Sequence, residues 1–312
     1  MLGLVATLAV AGCGGGGIPS GSGSGGDQQA LTTFVSLPTQ GLTSAYFCNF
    51  FLDLFAIEGN QIVVYKRAGD AFSKGETIGT VASGSDLGEM NGPTSMTCDL
   101  LGNLAVADPG NNRIDIFSPG GASFLPKTSF GVAGTGSGQF QKVVAVAADS
   151  SNNFYAVDET NKVVEEWTTN NGAYAFSKNF GSGTLSSPVS IAIDSSNNLW
   201  VSDAGNKNIV GISNLLGLVV TTINPPTALA TTFVPGSIGL DSAGDVFVVD
   251  TGNSQVEEFT NSSGTYTYKG VVGSIGPGNN QYANPSSISL DAFNDVYVGD
   301  IGNSRVAAFA PQ

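Results

Sequence analysis

The stretch from Pro188 to Ile212, PVSIAIDSSNNLWVSDAGNKNIVGI, decides the fold of this chain. Its apolar runs are short and rich in β-branched and aromatic residues, which is typical of strands. The segments between them, DSSNN and DAGN, contain Asp, Asn and Gly, which favour tight turns and left-handed backbone conformations. The stretch therefore predicts three antiparallel strands joined by two hairpins.

The same pattern recurs along the chain. Its most regular position is the acidic residue that ends the second strand, which we call the anchor. The six anchors are Glu58, Asp108, Asp158, Asp203, Asp250 and Asp300. Successive anchors lie 50, 50, 45, 47 and 50 residues apart, and the first copy is degenerate, with a shortened second turn. A period of this length is typical of repeat architectures.

Other columns repeat with the anchor. Nine residues before it stand Asn49, Asp99, Asp149, Asp194, Asp241 and Asp291. Five residues before it stand Asp53, Asn103, Asn153, Asn198, Asp245 and Asp295. Three residues after it, in the five full copies, stand Asn111, Asn161, Asn206, Asn253 and Asn303. These columns place turn-forming residues in both hairpins of every copy.

A fourth strand is predicted in the segments between copies, such as KTSFGV, AYAFSKNF and YTYKGVV. Six units of four antiparallel strands predict an all-β, six-bladed β-propeller over residues 31–312, with about 47 residues per blade. The last copy ends its third strand at Phe309 and leaves no room for a fourth. We expect the N-terminal run Leu31–Leu37 to complete that blade and so remove an open sheet edge.

The pattern P-x-x-I-A-[IV]-D…G-N-[LV]-[WY]-V-x-D-x-G-N-x-x-[IV]…F resembles the NHL repeat. The segments GTGSGQF (134–140) and GSIGPGNNQYANP (273–285) resemble its glycine-rich inter-blade loops. The resemblance covers about residues 46–312 and is strongest in the last four copies. It implies the six-bladed fold but not an activity, because propellers of this type serve as scaffolds, receptors, lyases and hydrolases.

The N-terminal segment predicts export. Residues 1–13 form an apolar run that is too short to span a membrane as a helix and long enough for a signal peptide. Val10–Cys13 resembles a bacterial lipobox, which implies lipid attachment at Cys13, although the usual basic residues are missing. Residues 14–30 are a Gly/Ser-rich flexible linker. We expect a lipid-anchored protein of the bacterial cell envelope, with ordinary secretion as the alternative.

The net charge of −14 has a local origin. Of the 25 acidic residues, 14 occupy the three turn columns, and the other 11 balance the 11 Lys and Arg residues. We therefore interpret these carboxylates as turn caps and expect no cofactor. Calcium binding is the alternative, although no turn matches a D-x-[DN]-x-[DN]-G loop. Nucleic acid is disfavoured as a partner because phosphate binding needs a basic surface.

The remaining cysteines, Cys48 and Cys98, share a column ten residues before their anchors, which is otherwise apolar. We expect buried free thiols there, because equivalent side chains of adjacent blades point the same way round a ring, whereas a disulfide needs converging Cβ atoms. A Cys48–Cys98 bridge is the less favoured alternative. We also expect Trp167 and Trp200 to pack between blades, and the pairs Glu165–Glu166 and Glu257–Glu258 to lie on a solvated strand face.

The chain contains no His. Its absence excludes Ser-His-Asp and Cys-His catalysis, a His base and His-ligated metals. Among enzymes of similar fold, the amidating lyase and the streptogramin lyase depend on His, so neither mechanism transfers. Gluconolactonases hold a divalent metal with Glu, Asn and Asp, but no motif of that family matches here. We therefore name no catalytic residue and no metal ligand, and treat a lactonase or lyase as the alternative function.

We favour a binding or scaffolding module, expected to be a monomer, for a protein, peptide or glycan on one propeller face. The turns between second and third strands and the inter-blade loops share one face, where propellers usually bind ligands. The candidate ligand-binding residues at those turns are Arg113, Lys207, Asn208, Gln255 and Arg305.

Overall fold

The computed structural model describes residue 31 and residues 33–121, 123–170 and 172–310. It contains six four-stranded antiparallel sheets arranged as the blades of a propeller, so the predicted fold class is confirmed. The proposed signal peptide (1–13), the lipid site at Cys13 and the linker (14–30) lie outside the described residues. Among the described residues, no helix is long and apolar enough to cross a membrane.

Strand β1 (Val35–Pro38) precedes the first blade in sequence. Blade 1 consists of β2 (Leu42–Cys48), β3 (Asp53–Glu58), β4 (Gln61–Ala68) and β5 (Ala71–Gly79). Blade 2 consists of β6 (Ser95–Cys98), β7 (Leu104–Asp108), β8 (Arg113–Pro119) and β9 (Phe124–Phe130). The loop to the next blade holds β10 (Val132–Ala133) and β11 (Gln139–Phe140), a short parallel pair. Blade 3 consists of β12 (Val143–Ala148), β13 (Phe154–Asp158), β14 (Val163–Asn170) and β15 (Ala173–Phe180).

Blade 4 consists of β16 (Pro188–Ile193), β17 (Leu199–Asp203), β18 (Asn208–Ile212) and β19 (Val219–Ile223). Blade 5 consists of β20 (Pro235–Leu240), β21 (Val246–Asp250), β22 (Gln255–Ser262) and β23 (Thr265–Val272). A second parallel pair, β24 (Ser274–Ile275) and β25 (Gln281–Tyr282), precedes the last blade. Blade 6 contains β26 (Pro285–Leu290), β27 (Val296–Asp300), the 3-10 turn Ile301–Asn303 and β28 (Arg305–Phe309).

The ring closes as predicted. Strand β1 pairs antiparallel with β28, with Val35 opposite Ala308 and Leu37 opposite Val306, and so supplies the fourth strand of blade 6. The backbone N–H of Leu31 also donates to Asp295 Oδ2 over 2.7 Å. Because β28 is paired on both sides, the third strand of the last blade leaves no open edge there.

Each blade has two ends, which define two faces of the ring. In blade 4, Pro188 pairs with Asp203 at one end of the sheet, and Ile193 pairs with Leu199 at the other. We call the face with the anchors and the turns between second and third strands the anchor face. The opposite face carries the turns between first and second strands.

The core consists of apolar layers between adjacent blades. The second-strand aromatic residues occupy these layers, as predicted, and are at most 5% exposed. They are Phe55, Tyr155, Trp200, Phe247 and Tyr297. Trp167 packs the same way, 4.7 Å from Phe130 between ring centroids. The two Trp residues therefore follow the packing interpretation.

The expectation of free thiols is wrong. Cys48 and Cys98 form a disulfide between blades 1 and 2, with their Cα atoms 5.8 Å apart. Both residues end the innermost strand of their blade, β2 and β6, and these strands lie side by side around the ring axis. By strand register the counterpart of Cys98, which pairs with Leu104, is Phe47, which pairs with Leu54. Cys48 lies one position further along its strand, so it faces blade 2, whereas Phe47 packs against blade 6. The sequence argument aligned Cys48 with Cys98 in one column and therefore treated their side chains as parallel.

Candidate functional site

The innermost strands of the six blades surround an axial channel. In its interior the lining side chains are mostly small or apolar, among them Ala147, Ile191 and Leu290, and the cavity measures about 60 Å³. Toward the anchor face the channel widens into a mouth of about 190 Å³. The mouth is lined by Ser44, Thr94, Ser95, Val144, Ala145, Val189, Ser190, Gly236, Ser237, Ser286 and Ser287. Hydroxyl groups therefore supply most of its polar surface.

Four serines of this mouth connect adjacent blades. The innermost strand of a blade has one unpaired edge, whose buried N–H groups need acceptors. Serine Oγ atoms of the preceding blade supply them. The bonds are Val146 N to Ser95 Oγ at 3.3 Å, Ile238 N to Ser190 Oγ at 3.4 Å, Ile288 N to Ser237 Oγ at 3.1 Å, and Ala45 N to Ser287 Oγ at 2.8 Å. A hydroxyl that accepts such a bond keeps its own proton to donate to a ligand.

Sequence reasoning missed this serine column, although a signal was present. Thirteen residues before the anchor stand Ser95, Ser190, Ser237 and Ser287, with alanine at the same place in blade 3. Within each strand the serine alternates with apolar residues, which is the ordinary pattern of a strand with one buried face and gives no sign of a further role. The role of the hydroxyl depends on the neighbouring blade, which the sequence of one copy does not contain.

The anchor carboxylates accept hydrogen bonds from the surrounding loops and turns, which confirms the turn-cap interpretation. Asp203 accepts hydrogen bonds from the backbone N–H groups of Ser186 and Ser187, each at 2.8 Å, and of Gly205 at 3.1 Å. Asn206 Nδ2 donates to the same carboxylate over 2.8 Å. The anchor aspartate of each of the five full copies is completely buried. The anchor thus ties the inter-blade loop before its blade to the turn after it, a second role that the sequence did not show.

Two of the predicted site residues, Arg113 and Arg305, hold inter-blade loops. The guanidinium of Arg113 donates to the carbonyl oxygens of Ser85, Asp86 and Glu89. Arg305 donates to the carbonyl oxygens of Pro277, Gly278 and Gln281 and to the carboxylate of its anchor, Asp300. Both side chains are largely buried, at 13% and 9% exposure. In this arrangement they shape the anchor face from beneath its loops.

The other three predicted residues lie half-buried on blades 4 and 5. Lys207 adopts a left-handed conformation, with φ of 55°, and its Nζ donates to Thr231 O over 2.7 Å. Asn208 begins β18, and its buried Oδ1 accepts no hydrogen bond. Gln255 donates to Glu257 Oε1 over 2.7 Å. The five predicted residues are therefore spread over blades 2, 4, 5 and 6, each at a third strand, and the structure does not gather them around the channel mouth.

The paired glutamates of the third strands are buried, so the prediction of a solvated face is wrong. Glu165 and Glu257 are at most 1% exposed, and Glu166 and Glu258 at most 7%. In blade 5 both glutamates are bonded by the fourth strand of their own blade. Tyr268 Oη donates to Glu257 over 2.6 Å, and Lys269 Nζ donates to Glu258 over 2.9 Å.

Several buried carboxyl groups have raised pKa values, and in three of them the pKa reaches about 6 or 7. Burial raises the pKa of Glu165 to about 7, with a further contribution from the negative charge of Asp158. Burial also raises the pKa of Asp115 to about 7, against the lowering effect of Arg113. In the joint between blades 6 and 1, burial and the adjacent Asp291 raise the pKa of Asp295 to about 6. These groups lie inside blade joints, away from the channel.

Within the part of the chain that the structure describes, no group of three or more His, Cys, Asp or Glu residues is arranged to hold a metal ion. The acidic columns explain why. Their oxygens already accept backbone and side-chain N–H groups, as in Asp149, which receives bonds from Ser151, Asn153 and Tyr155. The calcium alternative therefore has no candidate ligand set there and stays an untested prediction.

Comparison with protein-family models and with curated proteins finds no match. Solved structures of similar fold do exist. A catalytically inactive variant of virginiamycin B lyase from Staphylococcus aureus with quinupristin is 16% identical, over 88% of this chain and 84% of that one, with a TM-score of 0.57. A gluconolactonase from Xanthomonas campestris is 10% identical, over 88% of each chain, with a TM-score of 0.61.

A third structure, described as a putative 6-phosphogluconolactonase from Bacteroides uniformis, is 11% identical over 88% of this chain and 83% of that one, with a TM-score of 0.63. At 16% identity or lower, these likenesses show a shared propeller fold and leave the activity open. This chain is similar in fold to propeller proteins that include a lyase and lactonases.

Proposed function

We propose that this chain is a binding module of the cell envelope that recognises a peptide or glycan at the anchor-face mouth of its channel. The serine-lined mouth carries this proposal. Four of its serine hydroxyls accept bonds from the neighbouring blade and retain protons for oxygen acceptors, which peptide carbonyls and sugars supply. None of the described residues that line the channel has a charged side chain, so recognition rests on neutral hydrogen bonds and shape.

Two observations support an extracytoplasmic address. The Cys48–Cys98 disulfide is the kind of bond that persists in oxidising compartments. The lipobox-like sequence that ends at Cys13, followed by a Gly/Ser linker, suits a folded head held away from a membrane by a lipid anchor. We further propose that the blades are NHL-type repeats. Intact-mass measurement of the membrane-extracted protein tests the anchor: an unmodified N-terminus upstream of Cys13 contradicts it.

In this proposal, Arg113 and Arg305 affect binding only through the inter-blade loops that they hold on the anchor face. Lys207, Asn208 and Gln255 lie at the third strands of blades 4 and 5, outside the channel mouth, and are expected to contact only a ligand that extends over that face. Nucleic acid is not expected as a partner, because these few basic side chains are already engaged in the fold.

The second candidate function is a carboxylate-based or metal-based lactonase, favoured by the similarity in fold to a gluconolactonase. The lyase chemistry is the weaker enzymatic alternative, because a histidine variant of the similar lyase is described as catalytically inactive and this chain has no His. Metal analysis of the purified protein together with lactone hydrolysis assays separates the candidates. A stoichiometric divalent ion with hydrolysis that depends on it favours the lactonase.

The binding proposal is tested with the double variant Ser190→Ala, Ser237→Ala, which removes two hydroxyls from the mouth. A panel of peptides and oligosaccharides is titrated against the wild type by calorimetry. The exposed Ser73→Ala on the outer strand of blade 1 is the matched control. We expect any bound ligand to lose at least ten-fold in affinity with the double variant and to be unaffected by the control. Binding that survives loss of both hydroxyls places the ligand elsewhere and overturns the proposal.

A further inference from the structure

At one position near the end of the third strand, the side chain contacts the preceding blade in some copies of the repeat. This position lies eleven residues after the anchor in full copies and nine residues after it in the shortened blade 1. In blade 1 it is Arg67, in blade 4 Asn214 and in blade 5 Asn261. The strand register supports the equivalence, since Arg67 pairs with Phe72 and Asn261 pairs with Tyr266 on the fourth strand. We call it the joint position.

In two joints this side chain bonds to the preceding blade. Between blades 6 and 1, the fully buried guanidinium of Arg67 donates to Asp291 Oδ2 at 2.5 Å, Tyr297 Oη at 2.7 Å and Asp295 Oδ2 at 3.2 Å. It also lies over the Phe47 ring, 5.7 Å from the centroid. Between blades 3 and 4, Asn214 Nδ2 donates to Tyr155 Oη over 2.8 Å. The chain thus fills these two grooves with its own polar groups.

Between blades 4 and 5 the equivalent side chain stays within its own blade. Asn261 donates through Nδ2 to Ala243 O at 3.3 Å and accepts from Gly264 N at 2.9 Å. The side chain of Asn261 is shorter than that of Arg67 and leaves this groove open. A cavity of about 180 Å³ opens there on the opposite face, lined by residues that include Asp194, Trp200, Asp241, Asn261 and Tyr266.

This pocket shares only part of the surroundings of the Arg67 guanidinium. Asp194 occupies the column of Asp291, whereas Asn198 and Trp200 replace Asp295 and Tyr297, and each donates to Asp194 Oδ2 over 3.1 Å. Asp241 also lines the pocket, and the Trp200 and Tyr266 rings lie 4.9 Å apart between centroids. Aromatic faces beside carboxylates suit a planar cation. In both grooves, a carboxylate and an aromatic residue of one blade face the third strand of the next.

The charges around the pocket are predominantly negative. Burial, Asp194 and Asp245 together raise the pKa of the Tyr266 phenol to about 12, so both carboxylates act on the pocket wall. Asp241 contributes a third carboxylate. Lys269, whose charge interacts with those of Asp241 and Asp245, is held by Glu258 at 2.9 Å, and that pair is close to neutral overall. The pocket therefore favours a positively charged group over a neutral one.

We propose that this pocket binds the guanidinium group of an arginine-bearing ligand, with Asp241 as its acceptor and the Trp200 and Tyr266 rings as its aromatic wall. The proposal is independent of the function assigned to the channel mouth, because it concerns a charged ligand on the opposite face. A peptide that offers arginine supplies the planar fork of N–H donors that Asp291 and Asp295 receive in the filled groove.

The test compares two peptides that differ in one group: acetyl-Gly-Arg-Gly-amide and its citrulline analogue, which has the same shape and no charge. Binding to the full chain is followed by NMR titration of the Trp indole N–H signals. We expect the arginine peptide to shift the Trp200 signal and to bind at least ten-fold more tightly than the citrulline peptide. Equal binding of both peptides, or binding of neither, overturns the proposal.

Two variants locate the site. Asn261→Arg fills the pocket as Arg67 fills its own groove, so it is expected to abolish binding of the arginine peptide. Asn170→Arg, the same substitution at an exposed strand end of blade 3, is the matched control and is expected to change nothing. If Asn261→Arg does not fold, Asp245→Asn decides the matter: it removes one charge near the pocket and should weaken binding several-fold. Binding that is unaffected by the folded pocket variant contradicts the assignment.

Discussion

Arg67 and Asp291 lie 224 positions apart in the sequence, yet Nη1 of one donates to Oδ2 of the other across 2.5 Å, and both side chains are completely buried. The pair lies in the joint where blade 1 meets blade 6. Asp295, which shares the guanidinium, also receives the backbone N–H of Leu31. Two features therefore close the ring. Strand β1 pairs with β28, and a buried charged cluster connects blade 6 with blade 1.

Removing Arg67 should weaken this closure severely. In Arg67→Met, two buried carboxylates lose their counter-charge, and breaking a buried ion pair from one side costs about 3–5 kcal/mol. The neighbouring Lys66→Met is the control, since Lys66 is 52% exposed and its ion pair with Asp53 is expected to contribute less than about 1 kcal/mol. Urea unfolding at neutral pH measures both. Similar losses in the two variants would mean that the buried cluster does not stabilise closure.

Asp245→Asn should stabilise the protein. In blades 2, 3 and 4 this column is asparagine, and its Nδ2 donates to the turn aspartate over 2.6, 2.9 and 3.1 Å. In blade 5, Asp245 has no proton to donate, and its charge helps to raise the pKa of Asp241. The substitution should restore the bond and remove the repulsion, a gain of about 1 kcal/mol in the free energy of unfolding.

The reverse change provides the check. Asn198→Asp in blade 4 should lose the equivalent bond and place two carboxylates together, with a loss of about 1 kcal/mol. Both variants are compared by thermal and urea unfolding. If the two substitutions move the free energy of unfolding in the same direction, the explanation by the turn hydrogen bond is wrong.

Glu165 should make stability depend on pH. Its pKa is about 7 in the fold and about 4.3 when unfolded, so the folded state binds the proton more tightly between these values. This contribution to stability is therefore fully present below the unfolded pKa and is lost as the pH rises through about 7. Between pH 5 and pH 8 the wild type is expected to lose about 2–3 kcal/mol of stability relative to Glu165→Gln, at about 1.4 kcal/mol per pH unit up to the folded pKa.

The comparison is made by urea unfolding of both proteins from pH 5 to pH 8. Asp86→Asn, an exposed position in the loop before blade 2, controls for the loss of one charge and should leave the pH profile parallel to that of the wild type. A Glu165→Gln profile that also runs parallel would show that Glu165 does not titrate in this range.

Reduction of the Cys48–Cys98 disulfide should destabilise the propeller as a whole and should not unfold one blade by itself. The bridge closes a loop of 50 residues between two blades, and constraining such a loop in the unfolded chain contributes about 4 kcal/mol in the chain-entropy model. We expect a lower unfolding temperature in reducing agent. The double variant Cys48→Ser, Cys98→Ser should show the same loss and no response to the reducing agent; a response in that variant would point to another target.

The amino-acid sequence by itself determined the repeat, the four-stranded blades, their number and the closing strand. It did so because turn-forming residues and strand periodicity act over a few neighbouring residues. Each copy gives only a weak pattern, but the same pattern recurs six times. Asp203 with Asn206, for example, specifies a hairpin from neighbours within three residues. The sequence also indicated that the excess of acidic residues caps turns and does not form a binding site, because 14 of the 25 acids lie in the three turn columns of the repeat.

Tertiary structure alone decided what happens between blades. The Cys48–Cys98 bond, the burial of Glu165 and Glu257, the serine bridges and the cavity beside Trp200 all depend on how closely one blade approaches the next. A column of one copy carries no record of the side chain that faces it from the neighbouring copy. Arg67 and Asn261 share a column, yet one is a buried ion-pair partner and the other borders an open pocket, because their surroundings differ in the packed ring.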